Sequence, residues 1–261
     1  MRTVLLAGAL ALGAGCAGDG AEERSGPGPS IGTTTSTARV LGVVETATTT
    51  GAATPADPAS VYISGDVVIP PGESGRLSVV LVGPPLQSSV PVVVRNRTAN
   101  ALTSLEVTGT ARNEAGTLVA SGSSHGLVPA VLLPGEWGFG QVYFGGSDLP
   151  GDATFDLTAT GRTAEENRFF GAADVTVVEV ARAAGLVGEA IVGIVRNTTG
   201  EEVRGPISTV VICFADGRPT STHQGYVDGN SVPPGATVSL SVDLFDSRCP
   251  AFALGASGYR F

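Results

Sequence analysis

From residue 61 onward the chain is a succession of short runs in which apolar and polar residues alternate. Residues 105–111 (LEVTGTA) set Leu105, Val107, Gly109 and Ala111 against Glu106, Thr108 and Thr110. Residues 236–244 (ATVSLSVDL) do the same with Val238, Leu240, Val242 and Leu244 against Thr237, Ser239, Ser241 and Asp243, and residues 154–160 (TFDLTAT) repeat the pattern. Successive side chains of a strand point to opposite faces, so alternation bounded by Gly and Pro predicts half-buried strands. Helical periodicity is confined to residues 163–170 (TAEENRFF), enough for one short turn. The predicted fold class is all-β, built of antiparallel strands in sandwiches.

The pattern before residue 61 is different. Arg2 precedes an apolar run from Val4 to Leu12, small residues follow, and Cys16 closes the segment. A positive start, a short apolar stretch and a small-residue exit describe a secretory signal peptide over residues 1–15. The run is shorter than the ~20 residues of a membrane-spanning helix. Its end, LGAGC, resembles a bacterial lipobox, with Gly13 where Leu, Val or Ile is usual and Leu12 one position earlier. The resemblance implies lipid on Cys16, and therefore a chain anchored to the cell membrane on its extracytoplasmic face. The alternative is an ordinary cleaved signal peptide with an incidental cysteine. GAGCAG also fits the dinucleotide fingerprint, but that motif works only between a strand and a helix.

Residues 16–60 are rich in Gly, Thr, Ala, Ser and Pro and nearly free of aromatics. Such a composition cannot bury enough apolar surface to offset its ordering entropy, so a disordered tether is expected, with a reach of ~35–40 Å. The apolar piece RVLGVVE (residues 39–45) interrupts it, and Thr-Pro-rich stalks are frequent sites of O-glycosylation.

Two landmarks then organise the remainder. VRNRT begins at Val94 and VRNTT at Val195, an offset of 101. Ala115-Gly116 and Asp216-Gly217 repeat at 101, Gly126 and Gly225 at 99, and LPGEW and PPGAT at 100. Four landmarks in one order predict a duplication: one β-sandwich over residues 61–162 and a second over 163–261. The order of strand, V-R-N-x-T, Gly-containing turn and P-G before an alternating strand resembles the FxLYD-type domains of bacterial surface lipoproteins, which are small immunoglobulin-like sandwiches. The likeness covers residues 90–144 and 191–261. It implies two tandem Ig-like domains of the cell envelope with no catalysis, and it carries no site residues over.

Charge narrows the partners. The net charge is −9, and −10 once Arg2 is removed; all fifteen basic residues are Arg. With no basic patch to neutralise phosphates, nucleic acid is excluded as a partner by expectation. With Cys16 assigned to lipid, Cys213 and Cys249 remain, and an exported chain meets conditions in which a disulfide persists. Cys213 shares an alternating face with Ile207 and Val211, so it is expected to point inward and pair with Cys249. The two lack zinc-site spacing, and no metal or cofactor is expected.

Among candidate chemical groups, Asn96 and Asn197 each head an N-x-T sequon, and their place after an apolar run favours a turn-capping role over glycosylation. GSSHG (residues 122–126) fits G-x-S-x-G with Ser124 as nucleophile, but no helix follows to form the elbow. His125 and His223 stand at similar points of the two repeats; a shared metal would require the repeats to bring them together, and solvated loop positions are the simpler reading. The most aromatic run, EWGFGQVYF (residues 136–144), places Trp137, Phe139, Gln141 and Tyr143 on one strand face. That face is either core or a strip for a protein or glycan of the envelope, with Trp137, Phe139 and Tyr143 as its contacts. The expected function is a lipid-anchored, noncatalytic envelope protein that binds another envelope component. A hydrolase with an unrecognised site and a structural spacer are the alternatives.

Overall fold

A computed structural model of the chain describes residues 60–145, 148–163, 171–227, 229 and 231–260. The signal segment, Cys16 and the tether up to residue 59 lie outside the described residues, as does the candidate helical turn over 164–170.

The first half contributes β1 (Val61–Ser64), β2 (Leu77–Val82), β3 (Ser89–Asn96), β4 (Leu102–Arg112), β5 (Leu118–Ser124), β6 (Trp137–Phe144) and β7 (Thr154–Thr163). The second contributes β8 (Gly171–Asp174), β9 (Thr176–Ala184), β10 (Glu189–Arg196), β11 (Val203–Ala215), β12 (Arg218–Tyr226), β13 (Ser231–Val232), β14 (Thr237–Phe245) and β15 (Ala251–Arg260). The fold is all-β, and every pairing between these strands is antiparallel. Alternation translates into burial: Leu105, Val107 and Ala111 are buried while Glu106 and Thr108 are exposed, and Leu240, Val242 and Leu244 are buried between exposed Ser239 and Ser241.

The two halves repeat one topology. In the first, β2-β3-β6 and β7-β4-β5 form two layers, joined into a single sheet because β5 pairs β6 through Gly122 and Phe144. In the second, β9-β10-β14 forms one sheet and β15-β11-β12 belongs to another. Each half encloses its own core. Val92, Val107, Leu132 and Phe144 fill the first; Ile191, Val211, Leu244 and Leu254 fill the second.

A third core lies between the halves. Val93 and Phe139 from the first half pack with Val210, Ile212, Phe214 and Ala253 from the second, and Trp137 packs against the same group. This explains why Val90 to Val94 is apolar at every position: Val90, Val92 and Val94 face the first core, while Val93 faces the second half. A strand covered on both faces has no solvent side to alternate toward. The approach is close: a Cβ on Gly255 of β15 would collide with Val128 of the first half.

The division of the chain near residue 61 does not follow the sequence order expected for the repeats. β1 pairs with β15 of the second half, with Val61 opposite Gly255 and Ser64 opposite Phe252. Its side chains are apolar toward both neighbours: Val61 joins the third core, and Tyr62 joins the second, its ring 6.1 Å from Phe252. A strand with two apolar faces gains more at this junction than at an edge with one wet side.

Cys213 and Cys249 form a disulfide with Cα atoms 4.9 Å apart, both within the second core. Their separation of 36 residues corresponds to a stabilisation of ~4 kcal/mol if the effect is assigned to loop-closure entropy.

Candidate functional site

The strongest polar constructions in the molecule are duplicated, and they are structural. Asn96 is fully buried at the end of β3, and its Nδ2 donates to the carbonyls of Asn100 and Leu132, both at 2.9 Å. Its Oδ1 accepts from the Thr98 backbone N–H at 2.9 Å and from the Thr98 hydroxyl at 2.7 Å. Asn197 repeats all of this: Nδ2 donates to Glu201 and Val232 at 2.7 Å, and Oδ1 accepts from the Thr199 N–H at 2.9 Å and hydroxyl at 2.6 Å. Even the returning loops match, with Gly135 and Gly235 each donating to the asparagine carbonyl from a left-handed conformation. The N-x-T sequence is thus a buried hub that satisfies backbone groups where β3 and β10 end. Both amide hydrogens are already donated, which leaves neither side chain open to a glycan.

Ser124, the formal G-x-S-x-G serine, is 7% exposed, and its Oγ accepts the Val107 N–H at 2.9 Å. It closes a gap in the backbone bonding of β4 and does not sit at a strand-to-helix elbow. His223 lies on β12, opposite Val211, with Nε2 3.0 Å from the Ser221 hydroxyl. Burial holds its pKa below the ordinary histidine value, because the imidazolium loses solvation there. His125 instead stacks on Tyr143 with ring centroids 4.6 Å apart. Among the described residues no group of three or more His, Cys, Asp and Glu is placed to hold a metal.

Of the two readings of the β6 aromatic face, core and partner strip, Phe139 takes the first, because the second half covers it, while Trp137 and Tyr143 keep part of their surface exposed. Phe139 is fully buried in the third core, with the Trp137 ring 5.6 Å away. Gln141, the next residue on that face, bonds across the same boundary: its Oε1 accepts the Thr222 hydroxyl at 2.6 Å, and its Nε2 meets the Tyr143 hydroxyl. Trp137 and Tyr143 are half-buried. Period-two spacing correctly groups these residues on one face but does not say what covers it.

Where the third core reaches solvent it leaves a cleft of about 240 Å³. His125, Leu127 and Val128 line it from the first half; Ser208, Val210, Gln224 and Tyr259 line it from the second. Among the described residues, no carboxylate, arginine or other fixed charge lines the wall. Gln224 and His223 are consecutive on β12, so alternation sends their side chains to opposite faces, and only Gln224 enters the cleft. The arrangement offers an imidazole, an amide and hydroxyls beside apolar walls. That chemistry suits hydrogen bonding to a small neutral group. Among the described residues it holds no paired acid and base poised around a nucleophile. None of these cleft residues except His125 stands out in the sequence, because the cleft joins the connection between β5 and β6 to β11, β12 and β15 of the other half, far along the chain.

No protein-family model matches the chain, and no curated protein matches it.

Proposed function

We propose that this protein is a lipid-anchored, noncatalytic component of the bacterial cell envelope, presenting two Ig-like sandwiches for recognition of another envelope component. The third core carries the reading. It makes the two sandwiches one body, with a cleft at their junction, and a recognition surface benefits from such preorganisation. The described residues of the cleft offer hydrogen bonding through an imidazole, an amide and hydroxyls, which fits hydroxyls of a glycan or the amides of a peptide. The sequence before residue 61 supports the anchor: Cys16 follows the signal segment, and bacterial lipoproteins carry more than one acyl chain, enough for stable attachment. A tethered body is concentrated near its neighbours, so weak recognition suffices.

The test is metabolic labelling with a radiolabelled fatty acid, together with cell fractionation, for the wild type and Cys16→Ala. The wild type is expected to take up label and stay with salt-washed membranes. Cys16→Ala is expected to fold, lose the label and leave the membrane fraction. A variant that stays membrane-bound after the salt wash refutes anchoring through Cys16.

A further inference from the structure

The duplication shows what the outer edge of the last strand of a sandwich accepts. On β15 that edge is occupied: β1 lies antiparallel along it from Phe252 to Gly255, and β8 continues antiparallel from Ser257 to Arg260. β7 is the first-half counterpart of β15. It pairs with β4 as β15 pairs with β11, and Phe155, Leu157, Ala159 and Gly161 recur as Phe252, Leu254, Ala256 and Gly258, each 97 residues on.

The strands that would cover β7 are used elsewhere. β1 has crossed to the second half. The segment matching β8 is residues 73–76, since Val79 and Val177 hold equivalent places opposite Val94 and Val195. Those residues form a turn with Gly75 at φ +76°, so they do not extend along β7. Among the described residues, β7 pairs only with β4. Beside its other edge is a groove of about 520 Å³, lined by half-buried Leu77, Val79, Leu157 and Ala159 and, at its rim, by Glu73 and Arg76, which are paired with each other.

Unprotected edges invite pairing, and proteins usually blunt them with bulges, proline, short length or charged side chains. Here β2, β9 and β14 each carry a bulge, β12 carries a bulge and Pro219, and β1 has four residues. β7 runs ten residues without proline, the bulge in its ladder with β4 falls on β4 opposite Gly161, and its two exposed charges, Asp156 and Arg162, are of opposite sign.

We propose that β7 is a self-association edge, on which β7 of a second copy pairs antiparallel about Ala159. Charge selects both the partner and the register. With Ala159 on the two-fold axis, Asp156 of each copy stands opposite Arg162 of the other, and Thr158 opposite Thr160. All four side chains are exposed on the outward face, and neither Asp156 nor Arg162 has an ion-pair partner among the described residues. Moving the centre by one residue in either direction keeps the faces matched but separates both charge pairs. An antiparallel strand is also what the equivalent edge of β15 holds.

The test is sedimentation velocity on the full chain in mild detergent, over a wide concentration range. The wild type is expected to associate to a dimer. Arg162→Asp places like charges opposite each other at two points and should weaken association about tenfold or more. Asp156→Arg combined with Arg162→Asp restores opposite charges and should restore the dimer. A second measurement uses the chain carrying Asp156→Cys and Arg162→Cys. Six residues of strand hold the new thiols ~20 Å apart within a copy, so oxidation should yield a covalent dimer on a non-reducing gel. A wild type that stays monomeric, a dimer indifferent to the charge reversals, or the absence of the covalent dimer each overturns the proposal.

Discussion

Phe139→Ala separates a rigid pair of sandwiches from two independent ones. Phe139 is fully buried, and its ring fills the core between the halves beside Ile212, Phe214 and Ala253. Removing it forfeits the transfer free energy of a buried Phe side chain, ~1.5–3 kcal/mol, and leaves a cavity that backbone on both sides prevents from collapsing. The combined cost is ~3–5 kcal/mol. For a folded body of this size each kcal/mol moves the melting temperature by ~2–4 °C, so a drop of ~6–20 °C is expected.

The assay is urea denaturation followed by tryptophan fluorescence and far-ultraviolet circular dichroism. Trp137, the single tryptophan, belongs to the third core and reports on it directly, while circular dichroism reports on all strands. In the wild type the two curves should coincide, as expected for one cooperative unit. In Phe139→Ala the fluorescence transition should come first. Phe144→Ala provides the control, because Phe144 is on the opposite face of β6 in the first core; it should cost a similar amount without separating the probes. A loss below ~1 kcal/mol for Phe139→Ala, or coincident curves in that variant, refutes the idea that this core joins the halves.

Three further outcomes are expected. Asn96→Ala and Asn197→Ala each strip two buried donors and an acceptor from matching hubs, so each should cost ~2–4 kcal/mol by chemical denaturation, and similar losses at both positions are the sign of a true duplication. Reduction of the Cys213–Cys249 disulfide, or Cys249→Ala, should lower stability by ~4 kcal/mol, read as a melting shift with and without reductant. His223 is held below its unfolded value near ~6.5 by burial, so the unfolded chain takes the proton first as pH falls. Stability should therefore be full above about pH 6.5 and decline below it until the folded value is passed; melting curves of His223→Gln across that window should lack this component.

Much of the scaffold was legible in the sequence because the signals are local. Alternation in residues 105–111 and 236–244 became half-buried strands because a pleated backbone turns successive side chains to opposite faces. Asn96 and Asn197 marked a repeat because the same buried hub needs the same side chain twice. Cys213 and Cys249 met because alternation pointed Cys213 inward and no other described cysteine competes. A further copy, Phe155 to Gly161 recurring in Phe252 to Gly258, was present in the sequence at a spacing of 97, and it identifies β7 with β15.

Tertiary structure alone decided which surface covers each face. The aromatic strip of β6 has the same spacing whether it meets solvent, a partner or another part of the chain; the second half settled it by burying Phe139. β1 likewise reads as the start of the first repeat, yet it pairs with β15 nearly two hundred residues away. The cleft at His125 exists only because β12 and β15 arrive from the other half. Periodicity specifies that a strand has an apolar face, since that is a property of consecutive residues. The identity of the covering surface depends on free energy shared among strands distant in sequence, and it is fixed only when they pack.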